Sequence, residues 1–225
     1  MKNATKRSFW AAALVFLIFL LFTAVVCKVD VRAIGPEGSE VGLAGLNGTF
    51  FAALGGYHPF WYGFTEGMGV AVLLIVASFG LLGLVQLIHG KSFKAVDPDL
   101  YVLGGLYLVV GAAYLLFKLP LVNLRPVILD AEEGLEASFP SSHTIMAVFV
   151  LSTAAMQLRT RLKKEKARRI TGVLCAGLMV LMIVGRFWAG VHWFTDIIAA
   201  LLFGLSLVLL YKAIIRLLHD KEILS

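Results

Sequence analysis

Residues 143–185 read HTIMAVFVLSTAAMQL, then RTRLKKEKARR, then ITGVLCAGLMVLMIVG. Two apolar runs, 143–158 and 170–185, flank a linker that carries Arg159, Arg161, Lys163, Lys164, Lys166, Arg168 and Arg169 against one acid, Glu165. Cations massed between apolar runs are how membrane orientation signals look, and this linker predicts a stop at the cytoplasmic face, in touch with anionic lipid. Working outward, four more apolar runs emerge at 9–27, 67–88, 100–117 and 193–218. Most approach the ~20 residues that a helix needs to span ~30 Å of hydrocarbon. The runs 143–158 and 170–185 are short for this, and a site at their ends would let water and protein cover the shortfall. The expectation is an all-α fold: an integral membrane bundle of six transmembrane helices, forming a single domain over 1–225.

With 60% hydrophobic and 15% charged residues, the composition excludes an ordinary soluble domain. The net charge of +6 could suggest a nucleic-acid partner, but the positives sit in short stretches between apolar runs, so no nucleic acid is expected. Cys27 and Cys175 fall toward opposite faces of the bilayer, which argues against a disulfide. The first run is preceded by Lys2, Lys6 and Arg7, like a signal peptide. Its apolar stretch is longer than the usual ~7–15-residue core and no small-residue cleavage site follows, so a retained helix is expected. Val25 and Val26 also stand where a lipoprotein signal ending at Cys27 would need small residues.

Placing both termini in the cytoplasm puts fifteen of the 20 Lys and Arg on that side and leaves Lys28, Arg32, Lys118, Arg125 and Arg186 outside. Charged groups beside spanning segments cost about 2.5–3.5 kcal/mol each at mid-bilayer even on lenient scales, so those that persist tend to mark a site. Three such stretches occur: Lys118 with Arg125-Pro126, then Pro140-Ser141-Ser142-His143, then Arg186 with His192 and Asp196. All three fall at outer helix ends, where four distant segments would converge. Arginine suits phosphate through its planar fork and lysine as a point charge. Ser141 and Ser142 add hydroxyls and N–H groups at a helix start, and Ser141 can equally be a plain cap. Two histidines allow a division between nucleophile and general acid. His192 and Asp196, four apart, share a face if the sixth helix begins there, so the carboxylate could fix the imidazole tautomer. No metal-ligand spacing accompanies these residues, so neither a metal nor another cofactor is expected.

Lys118-x6-Arg125-Pro126, Pro140-Ser141-Ser142-His143 and Arg186-x5-His192-x3-Asp196 resemble, in order and spacing, the signature of the type 2 phosphatidic acid phosphatase family, which shares its site with vanadium haloperoxidases. The resemblance implies that His192 is a nucleophile forming a phosphohistidine and Asp196 its orienting partner. By the same resemblance His143 is the acid for the leaving oxygen, and Lys118, Arg125, Ser141, Ser142 and Arg186 bind phosphate. It further implies a lipid phosphate or diphosphate substrate within the bilayer, in a bacterial cytoplasmic membrane with the site facing outward. Ser142 stands where the pattern has glycine, and Gly185 where it has serine. The same residues also fit a lipid phosphotransferase. An anion transporter fits worse, because the span interiors are nearly free of charge.

Two outer segments are less informative. The 28–66 stretch carries Phe50, Phe51, Tyr57, Phe60, Trp61, Tyr62 and Phe64, which predicts an interfacial aromatic belt with a short surface helix. A lid for a lipid tail is the alternative. Asp130, Glu132, Glu133 and Glu136 lie in the other loop with no assigned role, and His58, His89 and His219 read as solvated.

Overall fold

Proline at the first turn and glycine past the last turn set several helix limits, because proline needs no N–H there and glycine accepts a positive φ. In the computed structural model, which describes residues 2–119 and 122–224, Pro59 opens α3 and Pro98 opens α4. The elements are α1 (Asn3–Lys28), a small antiparallel pair β1 (Arg32–Ala33) and β2 (Glu40–Val41), α2 (Ala44–Ala53), α3 (Pro59–Gly90) and α4 (Pro98–Phe117). After a long loop come α5 (Ser142–Met146), α6 (Ser152–Arg161), α7 (Glu165–Ala189) and α8 (Phe194–Asp220).

Helices α1, α3, α4, α7 and α8 are long and apolar enough to cross a membrane. They contain five of the expected runs. The 170–185 run is the middle of a 25-residue helix, so its shortness was a matter of flanking charges. The remaining run, 143–158, is helical throughout but not one regular helix. Between α5 and α6 the backbone widens into a π-helical turn at Ala147–Leu151, all five residues of which are buried. The Thr153 hydroxyl donates to the carbonyls of Phe149 (2.8 Å) and Val150 (3.1 Å) within this turn.

The α5–α6 stretch packs against α3, α4, α7 and α8 and forms the axis of the bundle. Helices α7 and α8 are its main partners, and α8 is 56% buried over its most apolar part, against 11–22% for the other four long helices. Those four present Leu14, Leu74, Leu108 and Val173 outward. Apolar side chains facing away from the protein are the arrangement that lipid, rather than water, accommodates.

Both ends of the described chain meet at one end of the bundle. Asp220 accepts from the Lys2 backbone N–H (3.0 Å) and the Thr5 hydroxyl (2.7 Å), and Arg216 reaches Ser8. Arg161, one of the linker cations, turns inward there and pairs with Asp99 (2.9 Å) and Asp97 (3.2 Å) at the start of α4. The opposite end carries the α7–α8 turn, the 122–141 loop and the 29–58 segment, and all eight candidate site residues lie there. Cys27 and Cys175 are both free.

The turn between α7 and α8 rests on Gly190, whose φ is +67° and where a Cβ would sit 2.0 Å from the Gly56 carbonyl oxygen. Gly190→Ala should therefore destabilise the protein by about 2 kcal/mol or more. A fall in the thermal unfolding midpoint in detergent checks this, and a midpoint equal to wild type contradicts it.

Candidate active site

Arg186 lies in the last turn of α7 with its side chain 0% exposed. A guanidinium cannot shed its charge, so burial is tolerable only with several partners. Nη1 donates to Glu66 Oε1 (2.8 Å) and to Thr65 Oγ1 (3.2 Å), and the plane lies 5.7 Å from the centre of the Tyr62 ring. The Thr65 hydroxyl itself donates back to the Trp61 carbonyl (2.8 Å), which leaves its lone pairs toward Arg186. A Cβ at Gly185 would stand 2.6 Å from Thr65 Cγ2. The glycine thus admits Thr65, whose hydroxyl oxygen accepts from Arg186.

The other Arg186 nitrogen, Nη2, lies 3.1 Å from His192 Nε2. Guanidinium donates, so Nε2 accepts, and the ring proton sits on Nδ1. There it donates to the Ser138 carbonyl at 3.0 Å. One tautomer follows from these two contacts. Burial, reinforced by the nearby Arg186 and Arg125 charges, holds His192 well below the usual imidazole range, so the ring is neutral.

Asp196 does not approach the ring across a shared helix face, as the spacing suggested. Helix α8 begins at Phe194, so His192 precedes it instead of sharing its face. The carboxylate lies 3.8 Å from His192 Nδ1, farther than the Ser138 carbonyl. Its closer partners are the Trp193 N–H (2.9 Å) and Asn123 Nδ2 (3.1 Å). An acid at this helix position caps the first turn and favours the positive end of the dipole. Asp196 thereby fixes the turn that carries His192.

Asn123, 1% exposed, joins the site's parts. Its side chain accepts from the Gly42 N–H (3.2 Å) and donates to Thr195 Oγ1 (3.3 Å) and Asp196. Its backbone carbonyl accepts from the Ser138 N–H (3.0 Å) and hydroxyl (3.2 Å). Asn47 of α2, also buried, accepts from the Thr195 N–H (3.1 Å) and donates to Gly42 (2.7 Å). The aromatic segment adds to this clamp. Phe50 stacks on Phe194 at 4.2 Å, Phe51 lies 5.5 Å from Trp193, and Trp61 stacks on Trp188 at 5.7 Å. These rings, expected as an interfacial belt, serve partly to hold the α7–α8 turn. His58, expected to be solvated, is half-buried and bonded to the Leu54 carbonyl at 2.7 Å.

His143, in the first turn of α5 and 17% exposed, points Nε2 at Glu66 Oε2 (3.4 Å). A Cβ at Gly69 would come within 2.8 Å of this ring, so the glycine makes its place. Ser141 is fully buried and positioned as the α5 N-cap, yet its side chain makes no cap bond. Its oxygen instead accepts from Thr144 at 3.1 Å, and its N–H bonds the Asp196 carbonyl at 3.2 Å. Ser142 is the first residue of α5 and half-buried. Arg125 is paired with Glu136 through Nε at 3.0 Å. Lys118 is exposed, with Nζ 5.2 Å from the centre of the Tyr114 ring, and no ion pair joins it to the other motif residues among those described. The structure therefore brings His143, Arg186, His192 and Asp196 together, with Arg125 and Ser141 beside them, and leaves Lys118 at the rim.

Glu66, Thr65, Gly69, Asn123 and the Ser138 carbonyl were missed by motif reading. Glu66 was findable: it is the single acid between Glu40 and Asp97 and adjoins an apolar run. A carbonyl or a loop asparagine carries no comparable signal.

A family model described as the PAP2 superfamily matches residues 71–219. No curated protein matches this chain. Among solved structures, the chain is similar to the "first transmembrane PAP2 type phosphatidylglycerolphosphate phosphatase from Bacillus subtilis". The TM-score is 0.60 at 22% identity, covering 91% of this chain and 96% of that one.

Two outcomes follow from the geometry. Asn123→Ala leaves Asp196 and the Gly42 N–H each short of a buried partner and should cost about 2 kcal/mol of stability, read from denaturant unfolding in detergent. The neutral, buried His192 gives a pH signature. The unfolded chain takes up the proton first, so stability falls as pH drops below the ordinary imidazole pKa of about 6.5. His192→Asn should flatten that slope in unfolding midpoints measured between acid and neutral pH.

Proposed function

The chain belongs to the PAP2 superfamily, and from that premise we propose that it is a membrane lipid phosphatase that removes the terminal phosphate from a lipid phosphomonoester or diphosphate. The observation that carries the reading is His192: a neutral imidazole in one tautomer, with an unprotonated Nε2 facing Arg186. This is the state a nitrogen nucleophile needs. Nε2 attacks phosphorus, the bond to the lipid oxygen breaks, and that oxygen takes a proton from His143. Water, giving a proton to His143, then cleaves the phosphohistidine to inorganic phosphate. Arg186, Arg125 and Lys118 neutralise the phosphoryl oxygens, with Ser141 and Ser142 adding donors. Asp196 acts through the turn it caps. No step is routed through a metal or other cofactor.

In this reading the α5–α6 stretch is a sixth crossing, the termini are cytoplasmic and the site opens on the outer face of a bacterial cytoplasmic membrane. The support is the concentration of cations at the termini end and of the motif residues at the other. A phosphate at head-group depth then reaches the site while its tail stays in hydrocarbon. Phosphatidylglycerophosphate, phosphatidate, prenyl diphosphates and phosphorylated glycolipids are the substrate classes, the first favoured by the similar solved structure. A phosphotransferase would use the same phosphohistidine; phosphate release that depends on an added acceptor would identify it.

His192→Ala should abolish hydrolysis and phosphoenzyme formation, whereas His143→Ala should regain part of its rate on a substrate with a very good leaving group. Equal rescue of both would reverse the two roles. Gly69→Ala, which displaces the His143 ring, should lower kcat about 10- to 100-fold without unfolding the protein. Turnover should persist in excess chelator. In sealed vesicles of known orientation, hydrolysis should be confined to the leaflet opposite the 159–169 linker.

A further inference from the structure

Glu66 lies outside all three motifs, yet its carboxylate spans the site. One oxygen is on Arg186 Nη1 (2.8 Å) and the other faces His143 Nε2 (3.4 Å). These two side chains are the ones assigned above to the substrate's phosphate and leaving oxygen. The pair is mechanically unequal: the Arg186 side chain is 0% exposed and that of Glu66 is 41% exposed. The arginine is fixed by its surroundings, so the carboxylate is the member free to withdraw into water. Two donors are meanwhile left over. Arg186 Nε and Arg125 Nη1 are buried without a hydrogen-bond partner among the described residues. Buried donors left unmade are costly and point to a ligand with more acceptors than a carboxylate has.

We infer that Glu66 is a built-in stand-in for the substrate phosphate, which holds Arg186 and His143 while the pocket is empty and gives way only to a phosphate richer in charge and oxygens than itself. The inference rests on the phosphatase reading and adds its selectivity. A carboxylate brings one charge and two oxygens. A phosphodiester, the linkage of ordinary membrane phospholipids, brings the same, so exchanging one for the other gains nothing. A terminal phosphate brings up to two charges and three acceptor oxygens. Its surplus matches the unpartnered donors on Arg186 and Arg125. The pocket therefore stays clear of the phosphodiesters that surround it at very high local concentration and still admits monoesters and diphosphates. Specificity of this kind comes from a repulsive element in the site as much as from an attractive one.

Full-length protein in detergent provides the test. Binding of inorganic phosphate is measured by calorimetry, and inhibition of lipid phosphate hydrolysis by added phosphatidylglycerol is measured in mixed micelles. Glu66→Gln keeps the shape and removes the charge; it should bind inorganic phosphate about tenfold more tightly and become sensitive to phosphatidylglycerol that wild type tolerates. Glu66→Asp, which keeps the charge but loses reach, should fall between the two and serves if Glu66→Gln does not fold. Unchanged or weaker phosphate binding in whichever variant folds would overturn the inference and make Glu66 a fixed support for Arg186. Calorimetry needs no turnover, so the two readings fail separately. If wild type binds phosphate but hydrolyses no lipid phosphate, the function falls and the binding comparison still decides the role of Glu66.

Discussion

The buried guanidinium of Arg186 is the constraint from which the rest of the site can be derived. An ion of this kind, removed from water, costs several kcal/mol unless it is paired and hydrogen-bonded on most sides. The chain meets that demand with three groups from two places: Thr65 and Glu66 on α3, and His192 in the turn beyond α7. Each partner is in turn constrained. Thr65 needs the missing side chain at Gly185, Glu66 turns its second oxygen toward His143, and His192 needs an acceptor for its remaining proton. One charge thus dictates the neighbours, the tautomer and the close packing of α3 against α7.

A second layer keeps this arrangement from relaxing. The turn that carries His192 is capped from within by Asp196, tied by Asn123 and Asn47 to the loops on either side, and covered by stacked rings from 50–61. Buried amides bonded on both the oxygen and the nitrogen resist displacement, because shifting one strands the others in a low-dielectric setting. Preorganisation of this kind matters for phosphoryl transfer, where positioning and charge stabilisation do most of the work.

Much of the architecture was legible as a line of letters, for reasons that can be named. Spanning helices must satisfy every backbone group internally and face lipid, so they appear as long apolar runs, and five of the six expected runs fall in long apolar helices. The sixth is helical but carries a π turn, which periodicity does not reveal. Of the site, the groups that bear charge or imidazole stood out because a membrane protein has few reasons to keep them near apolar segments. The Asp196 carboxylate comes to 3.8 Å from His192 from the first turn of α8 and not across a shared helix face, since a four-residue interval means one face only if the helix has already begun. Thr65, Asn123 and the Ser138 carbonyl were invisible, being ordinary loop or helix groups until folding places them.

The sequence by itself determined the class of fold, the segregation of cations toward one end and the charged and imidazole side chains gathered at the other. Hydropathy, charge and motif spacing are local properties that survive without coordinates. Only the tertiary structure decided which of those side chains meet, which nitrogen of His192 carries the proton, and that Glu66 bridges Arg186 and His143. Those facts depend on distances of about 3 Å between residues up to 121 positions apart, and only close packing of several helices sets distances on that scale.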